Sequence, residues 1–160
     1  MKILLAVDGS IFSDEALKEV DRRLWPAGSE LKILAVVAPI PDVTPEPWVG
    51  MEDYYRAREK VERDHAQATL DRAVSTLGTS GNKSLKVTAE APFGSPKRVI
   101  LEEAERWGAD LIVVGSHGYG FWNRLLLGSV SQAIATHANC SVEIVRAPGS
   151  AEVASVQSQD

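Results

Sequence analysis

The chain has 160 residues, 44% of them hydrophobic, and a formal net charge of −5. That length suits one α/β domain with a sizeable core, and the acidic balance argues against a general nucleic-acid or anionic-membrane binder. Cys140 is the only cysteine, which excludes an intrachain disulfide.

Residues 3–7 (ILLAV) form an apolar run that predicts a buried strand, ending at Asp8-Gly9-Ser10. Met1-Lys2 leads straight into it with no signal-peptide h-region, and no apolar run approaches a membrane span, so a cytoplasmic location is expected. Ser13, followed by Asp14 and Glu15, is the expected cap of a first helix. Ala16, Leu17, Val20 and Leu24 mark its core face, and Pro26 and Gly28 stop it. Residues 31–38 (LKILAVVA) read as the second strand. Residues 39–50 carry four prolines and cannot be a helix interior. A helix over 51–77 follows, with Val61, Ala66, Leu70, Ala73, Val74 and Leu77 on one stripe and a solvated polar remainder. Residues 78–84 (GTSGNKS) read as a turn, and Leu85, Val87 and Ala89 alternate as a third strand. Ser95-Pro96 are an N-cap and a first helical residue. Val99, Ile100, Ala104 and Trp107 are the expected core face of that helix, and Gly108 ends it.

The most informative stretch begins with the fourth strand, residues 111–114 (LIVV). Gly115 and Gly118 follow at once, and Gly128-Ser129 come after a spacer of nine, giving G-x2-G-x9-G-S. Backbone without Cβ comes close to a ligand and can point N–H groups at an anion. Ser129 then opens a helix whose first N–H groups lack intrahelical partners and attract phosphate. Val130, Ala133 and Ile134 are its expected buried face. Asn139, Cys140 and Ser141 connect it to a last strand over 142–145, where Cys140 reads as a small buried residue in preference to a reactive thiol. Residues 147–160 lack periodicity and read as a disordered tail.

Strands alternating with helices predict a doubly wound, mainly parallel sheet. Ligands bind such sheets beyond the carboxyl ends of the strands, where strand order reverses. Asp8, Val37 and Gly115 lie at or near such ends. Bland readings stand beside the functional ones. Asp8 is either a turn residue or a ligand contact, the glycines serve turns or a ligand, and Ser129 is a cap, a contact or both. His117 touches ribose or phosphate or faces solvent. His65 and His137 read as structural or solvated; Glu62 lies one turn before His65, but no third metal ligand is evident. Arg124 reaches phosphate or stays on the surface, and Phe121 and Trp122 pack the loop. There is no P-loop, no dinucleotide fingerprint after the first strand, no nucleophile elbow and no paired-cysteine or H-E-x-x-H motif.

The residues VDGS at 7–10, the Gly115/Gly118/Gly128/Ser129 spacing, GSVSQAI at 128–134 and CSVEIVR at 140–146 resemble the universal stress protein family, in its ATP-binding branch. The resemblance covers residues 1–147, with 148–160 as a flexible tail. It implies a five-stranded parallel sheet of order 3-2-1-4-5, a cytoplasmic homodimer, and a bound adenine nucleotide (ATP, ADP or AMP), often with Mg²⁺ or Mn²⁺. By position, Asp8 would face ribose, phosphates and metal, and Val37 would present backbone to adenine. Gly115 and Gly118 would line the ribose–phosphate turn. Gly128, Ser129 and Val130 would hold phosphates through N–H groups, with Ser131 as a further hydroxyl. The expected function is nucleotide-dependent regulation in a stress response through an unknown protein partner. A slow ATPase or phosphotransferase and a nucleotide-free dimeric scaffold are the alternatives. The expected dimer forms on the last strand, where Val142, Ile144 and Val145 are apolar and Glu143 and Arg146 could pair across a two-fold axis.

Overall fold

Five short strands alternate with four helices: β1 (Lys2–Ala6), α1 (Ile11–Arg22), β2 (Glu30–Leu34), α2 (Met51–Thr79), β3 (Lys86–Glu90), α3 (Pro96–Trp107), β4 (Leu111–Gly115), α4 (Ser129–His137) and β5 (Ser141–Val145). The computed structural model describes residues 1–39, 51–79, 85–118 and 127–147. Every strand pair is parallel and the order is β3-β2-β1-β4-β5, as expected. The expectations placed on 40–50, on Phe121, Trp122 and Arg124, and on the tail from 148 lie outside the described residues. Among the described residues, no helix is long and apolar enough to cross a membrane.

Residue parity sorts the core into two layers. Ile3, Leu5, Leu31, Ile33, Leu111 and Val113 share one layer with Ala16, Leu17 and Val20 of α1 and Ala66, Leu70, Ala73 and Leu77 of α2. Leu4, Leu34, Ile112 and Val114 share the other with Ile100 and Ala104 of α3 and Ile134 of α4. β1 and β4 are covered on both sides and are apolar on both faces, which is why residues 3–5 and 111–114 read as unbroken runs. β1 is therefore the branch point: the connections through α1 and α2 cover one face, and those through α3 and α4 cover the other.

Several expectations need correction. Ser10, not Ser13, caps α1: its hydroxyl accepts the Ser13 N–H. Ser13 sits inside the first turn and returns a bond to the Ser10 carbonyl. Leu24 is 93% exposed because α1 has already ended, and Trp25 is buried in its place, donating its indole N–H to the Val20 carbonyl. β2 pairs regularly only to Leu34, with an isolated bridge between Val37 and Phe93 beyond it. α2 runs on to Thr79, and its buried stripe omits Val61 and Val74, both exposed. β3 is an edge strand on which Ala89 is exposed. Ile100 and Ala104 are the buried pair of α3, with Val99 and Trp107 half-buried. On α4 the buried pair is Ser131 and Ile134, with Val130 and Ala133 half-buried. β5 begins at Ser141.

Ion pairs centred on Lys32 and on Arg23 tie elements together. Lys32 shares the parity of Leu34 and so points into the α3 side, where Nζ meets Glu103 at 2.7 Å and Glu90 at 3.2 Å and lies over the Trp107 ring. Burial works against both charges, but the bonds outweigh it: Lys32 is held above its usual range, and Glu103, which also accepts from Arg106, below its own. On the opposite layer, Arg23 at the end of α1 grips Glu143 of β5 with two bonds, at 2.8 and 2.7 Å. Glu143 is therefore engaged within the chain by Arg23.

Candidate functional site

A cavity of about 320 Å³ lies at the carboxyl ends of β1, β2 and β4, on the side of α3 and α4. This is the place where strand order reverses around β1. Its apolar walls are Leu34 and Val36 from the β2 end, Val114 from β4, Pro96 and Ile100 from α3, and Val130 from α4. Leu34, Val114 and Ile100 belong to the second core layer, so the cavity floor is core. Its polar margin is Asp8, His117 and Ser129, with Ser13 and Ser131 behind.

Asp8 is exposed at the end of β1. Its Oδ1 accepts the Ser10 N–H at 2.9 Å, a local turn that Asp favours. Gly9 makes the turn possible at φ +84°, and its N–H donates to the Ser13 hydroxyl. Oδ2 faces Gly118: a Cβ built on that glycine would lie 2.6 Å from it. The turn reading of Asp8 thus holds for Oδ1, while Oδ2 is turned to Gly118 at the cavity.

The glycine loop is built on close approach, not on unusual dihedrals; none of Gly115, Gly118 and Gly128 has a positive φ. A Cβ on Gly115 would meet the Phe12 carbonyl carbon at 2.6 Å, so this glycine lets α1 start against β4. A Cβ on Gly128 would lie 3.2 Å from His117 Cα, and the Gly128 N–H donates to the Ser116 carbonyl. Ser116-His117-Gly118 therefore lies against the entry of α4. His117 is half-buried, with Nδ1 3.1 Å from the Ser116 hydroxyl and its ring 5.0 Å from that of Phe12.

Gly128, not Ser129, is the N-cap of α4, and no side chain caps this end. Ser129 is the first helical residue, exposed at the cavity. The first intrahelical bond runs from Gln132 N–H to the Gly128 carbonyl. The N–H groups of Ser129, Val130 and Ser131 therefore have no intrahelical acceptor and carry the positive end of the helix dipole. The Ser131 hydroxyl is turned away and donates to the Gly115 carbonyl at 2.7 Å. It ties strand end to helix start.

Eight of the nine positions singled out in the sequence line this cavity. Val37 does not. Its parity puts its side chain in the other core layer; its N–H donates to the Pro92 carbonyl and its own carbonyl accepts from Gly94 N–H. Val36 takes its place on the cavity wall. Pro96 and Ile100 also line the cavity, where the sequence marks them only as a helix start and a core residue. Elsewhere, His137 bonds within its own helix and Cys140 is only half-buried, its thiol pushed up by burial and by Asp110. Among the described residues, no cluster of three His, Cys, Asp or Glu side chains could hold a metal unaided.

The model of the Universal stress protein family matches residues 1–146. A universal stress protein of Thermus aquaticus is 33% identical over 144 residues, 90% of this chain and 97% of that one. The solved structure of universal stress protein UspA from Lactobacillus plantarum superposes with a TM-score of 0.74 at 26% identity, over 91% of this chain and 97% of that one. A universal stress protein family member from Arabidopsis thaliana, solved with AMP bound, gives a TM-score of 0.65 at 23% identity over 93% of each chain. The fold, the strand order and a family match spanning nearly the whole described molecule agree: the chain belongs to the universal stress protein family.

Proposed function

We propose that the chain binds an adenine nucleotide in this cavity and acts as a nucleotide-dependent regulator in the stress response. The observation that carries the reading is the pairing of an apolar slot with the uncapped start of α4. The slot suits a purine ring against Val36, Pro96 and Ile100, and the N–H groups of Ser129, Val130 and Ser131 suit phosphate oxygens. The AMP on the Arabidopsis relative supports the same class of ligand. A divalent cation would fit as a shared ion, with Asp8 Oδ2 offering one oxygen and the phosphates and water the rest. When bound, Mg²⁺ or Mn²⁺ would offset the repulsion between Asp8 and phosphate. The same reading makes the protein a cytoplasmic homodimer paired through β5, with slow turnover at most.

Ser129→Pro tests the phosphate contact. Proline suits the first helical position, and Gly128 already has φ −60° and ψ 153°, a conformation compatible with a following proline. The substitution removes one donor and leaves the helix. Titration calorimetry with ATP should show a loss of about tenfold or more, the worth of one bond to a charged group, at unchanged helix content. Ser129→Ala, which keeps the N–H, should lose much less. Wild-type affinity in a folded Ser129→Pro protein would remove α4 from the site, and a wild-type chain that binds no adenine nucleotide would end the reading.

A further inference from the structure

α2 reaches the site as well as covering the sheet. His65 Nε2 lies 3.2 Å from the main-chain oxygen of Asp8, 57 residues away in sequence. A carbonyl oxygen only accepts, so Nε2 carries the proton in this contact. Two turns further along α2, Arg72 reaches Asp14 Oδ1 in the first turn of α1, also at 3.2 Å. α2 therefore holds both limbs of the β1–α1 turn, the strand end through His65 and the helix start through Arg72. Within the turn, Asp8 Oδ1 is fixed on the Ser10 N–H and Oδ2 is turned to Gly118. With one oxygen pinned, the direction of the carboxylate follows the main chain at Asp8, and His65 holds that main chain from outside.

His65 is exposed, and its partner is a carbonyl that water could serve instead. Such a contact adds little to the stability of the fold; what it fixes is direction. We propose that His65 is a positioning residue for the nucleotide site: its ring N–H holds the Asp8 carbonyl and thereby aims the Asp8 carboxylate at the cavity mouth. The proposal rests on the nucleotide reading above.

The test is calorimetry with ATP and Mg²⁺ on wild type, His65→Ala, His65→Gln, Asp8→Asn and the Asp8→Asn/His65→Ala pair. A glutamine amide nitrogen sits where Nε2 does and also donates. His65→Ala should weaken Mg²⁺-dependent binding by about three- to tenfold, the range of one modest hydrogen bond. His65→Gln should restore most of it, and thermal midpoints should stay within a few degrees. In the Asp8→Asn background, His65→Ala should cost little more, because the carboxylate it aims is gone. An undiminished His65→Ala protein, a loss that glutamine does not rescue, or a full loss in the Asp8→Asn background each overturns the role. If the wild type binds no ATP with or without Mg²⁺, the nucleotide reading fails separately. The aim of Asp8 is then read by NMR: its ¹³Cγ and carbonyl signals should move in His65→Ala and return in His65→Gln. Signals that stay put would overturn the positioning role on their own.

Discussion

A methyl group added at Gly118 would sit 2.6 Å from Asp8 Oδ2, the end of a side chain that gives way only by loosening the bond from the Ser10 N–H to its Oδ1. Gly118→Ala should therefore cost only about 1 kcal/mol of stability, the scale of one displaced rotamer, while redirecting the carboxylate. Its effect on nucleotide affinity should shrink when Asp8 is alanine. Calorimetry on the two single variants and the double variant would show it, and equal losses in both backgrounds would mean that Gly118 serves the ligand directly. Lys32 and Glu103 make a second residue-scale case. Removing the Glu103 charge leaves Lys32 buried with only the longer contact to Glu90. Glu103→Gln should destabilise by about 2 kcal/mol at neutral pH, as for bonds to charged groups. Glu103 titrates below its usual range in the folded chain, so its contribution is present above the ordinary carboxylate pKa and is lost as pH falls through the lower folded value. Urea titrations from pH 7 downward should show the two proteins converging in acid. A constant gap at all pH values would assign the loss to packing.

At the scale of elements, α2 has two unlike halves. Ala66, Leu70, Ala73 and Leu77 are buried, while no side chain from Glu52 to His65 is. That first half carries exposed pairs at i,i+4 spacing: Arg56–Glu52, Lys60–Asp64 and Arg63–Glu59. Each contributes about 0.3–0.5 kcal/mol, too little by itself to hold a helical segment that buries no side chain. Hydrogen exchange should find the amides around 70–77 protected by a large fraction of the global stability and those around 54–62 nearly unprotected. Uniform protection along α2 would show that something covers its first half. These two halves also explain what the sequence could and could not tell. The buried runs of β1 and β4 announce themselves because strands covered on both faces are apolar wherever no ion pair takes up a polar side chain, as one does for Lys32 of β2. The α2 stripe was read two residues too generously, since Val61 and Val74 sit near the period but point off the sheet. Val37 is carried over from the family by position, for its backbone, while parity, legible in the same run, turns the Val36 side chain to the cavity and the Val37 side chain to the other layer. The reach of His65 to Asp8 depends on how α2 crosses the β1 end, which no local pattern encodes.

At the scale of the molecule, β5 ends the sheet, with one side unpaired among the described residues. Val142 and Ile144 pack partly on the α3 and α4 side, and Glu143 is taken by Arg23, so a second copy would meet mainly the backbone edge of β5. Ile144→Pro removes one N–H from that strand. Light scattering after gel filtration should give a dimer mass for the wild type and a smaller mass for Ile144→Pro. A wild-type monomer at micromolar concentration removes the dimer, and an unaffected dimer moves it elsewhere.

The floor of the cavity is made of Leu34, Ile100 and Val114, which are also the second core layer. A ligand seated on them is a ligand of the folded state alone, since an unfolded chain brings none of these side chains together. At a hundred times its dissociation constant it would raise the unfolding free energy by about 2.7 kcal/mol. Proteases in a cell sample the unfolded fraction, so the lifetime of each copy would lengthen or shorten with the free concentration of that ligand. The amount of this protein, and not only its shape, would then record the nucleotide supply.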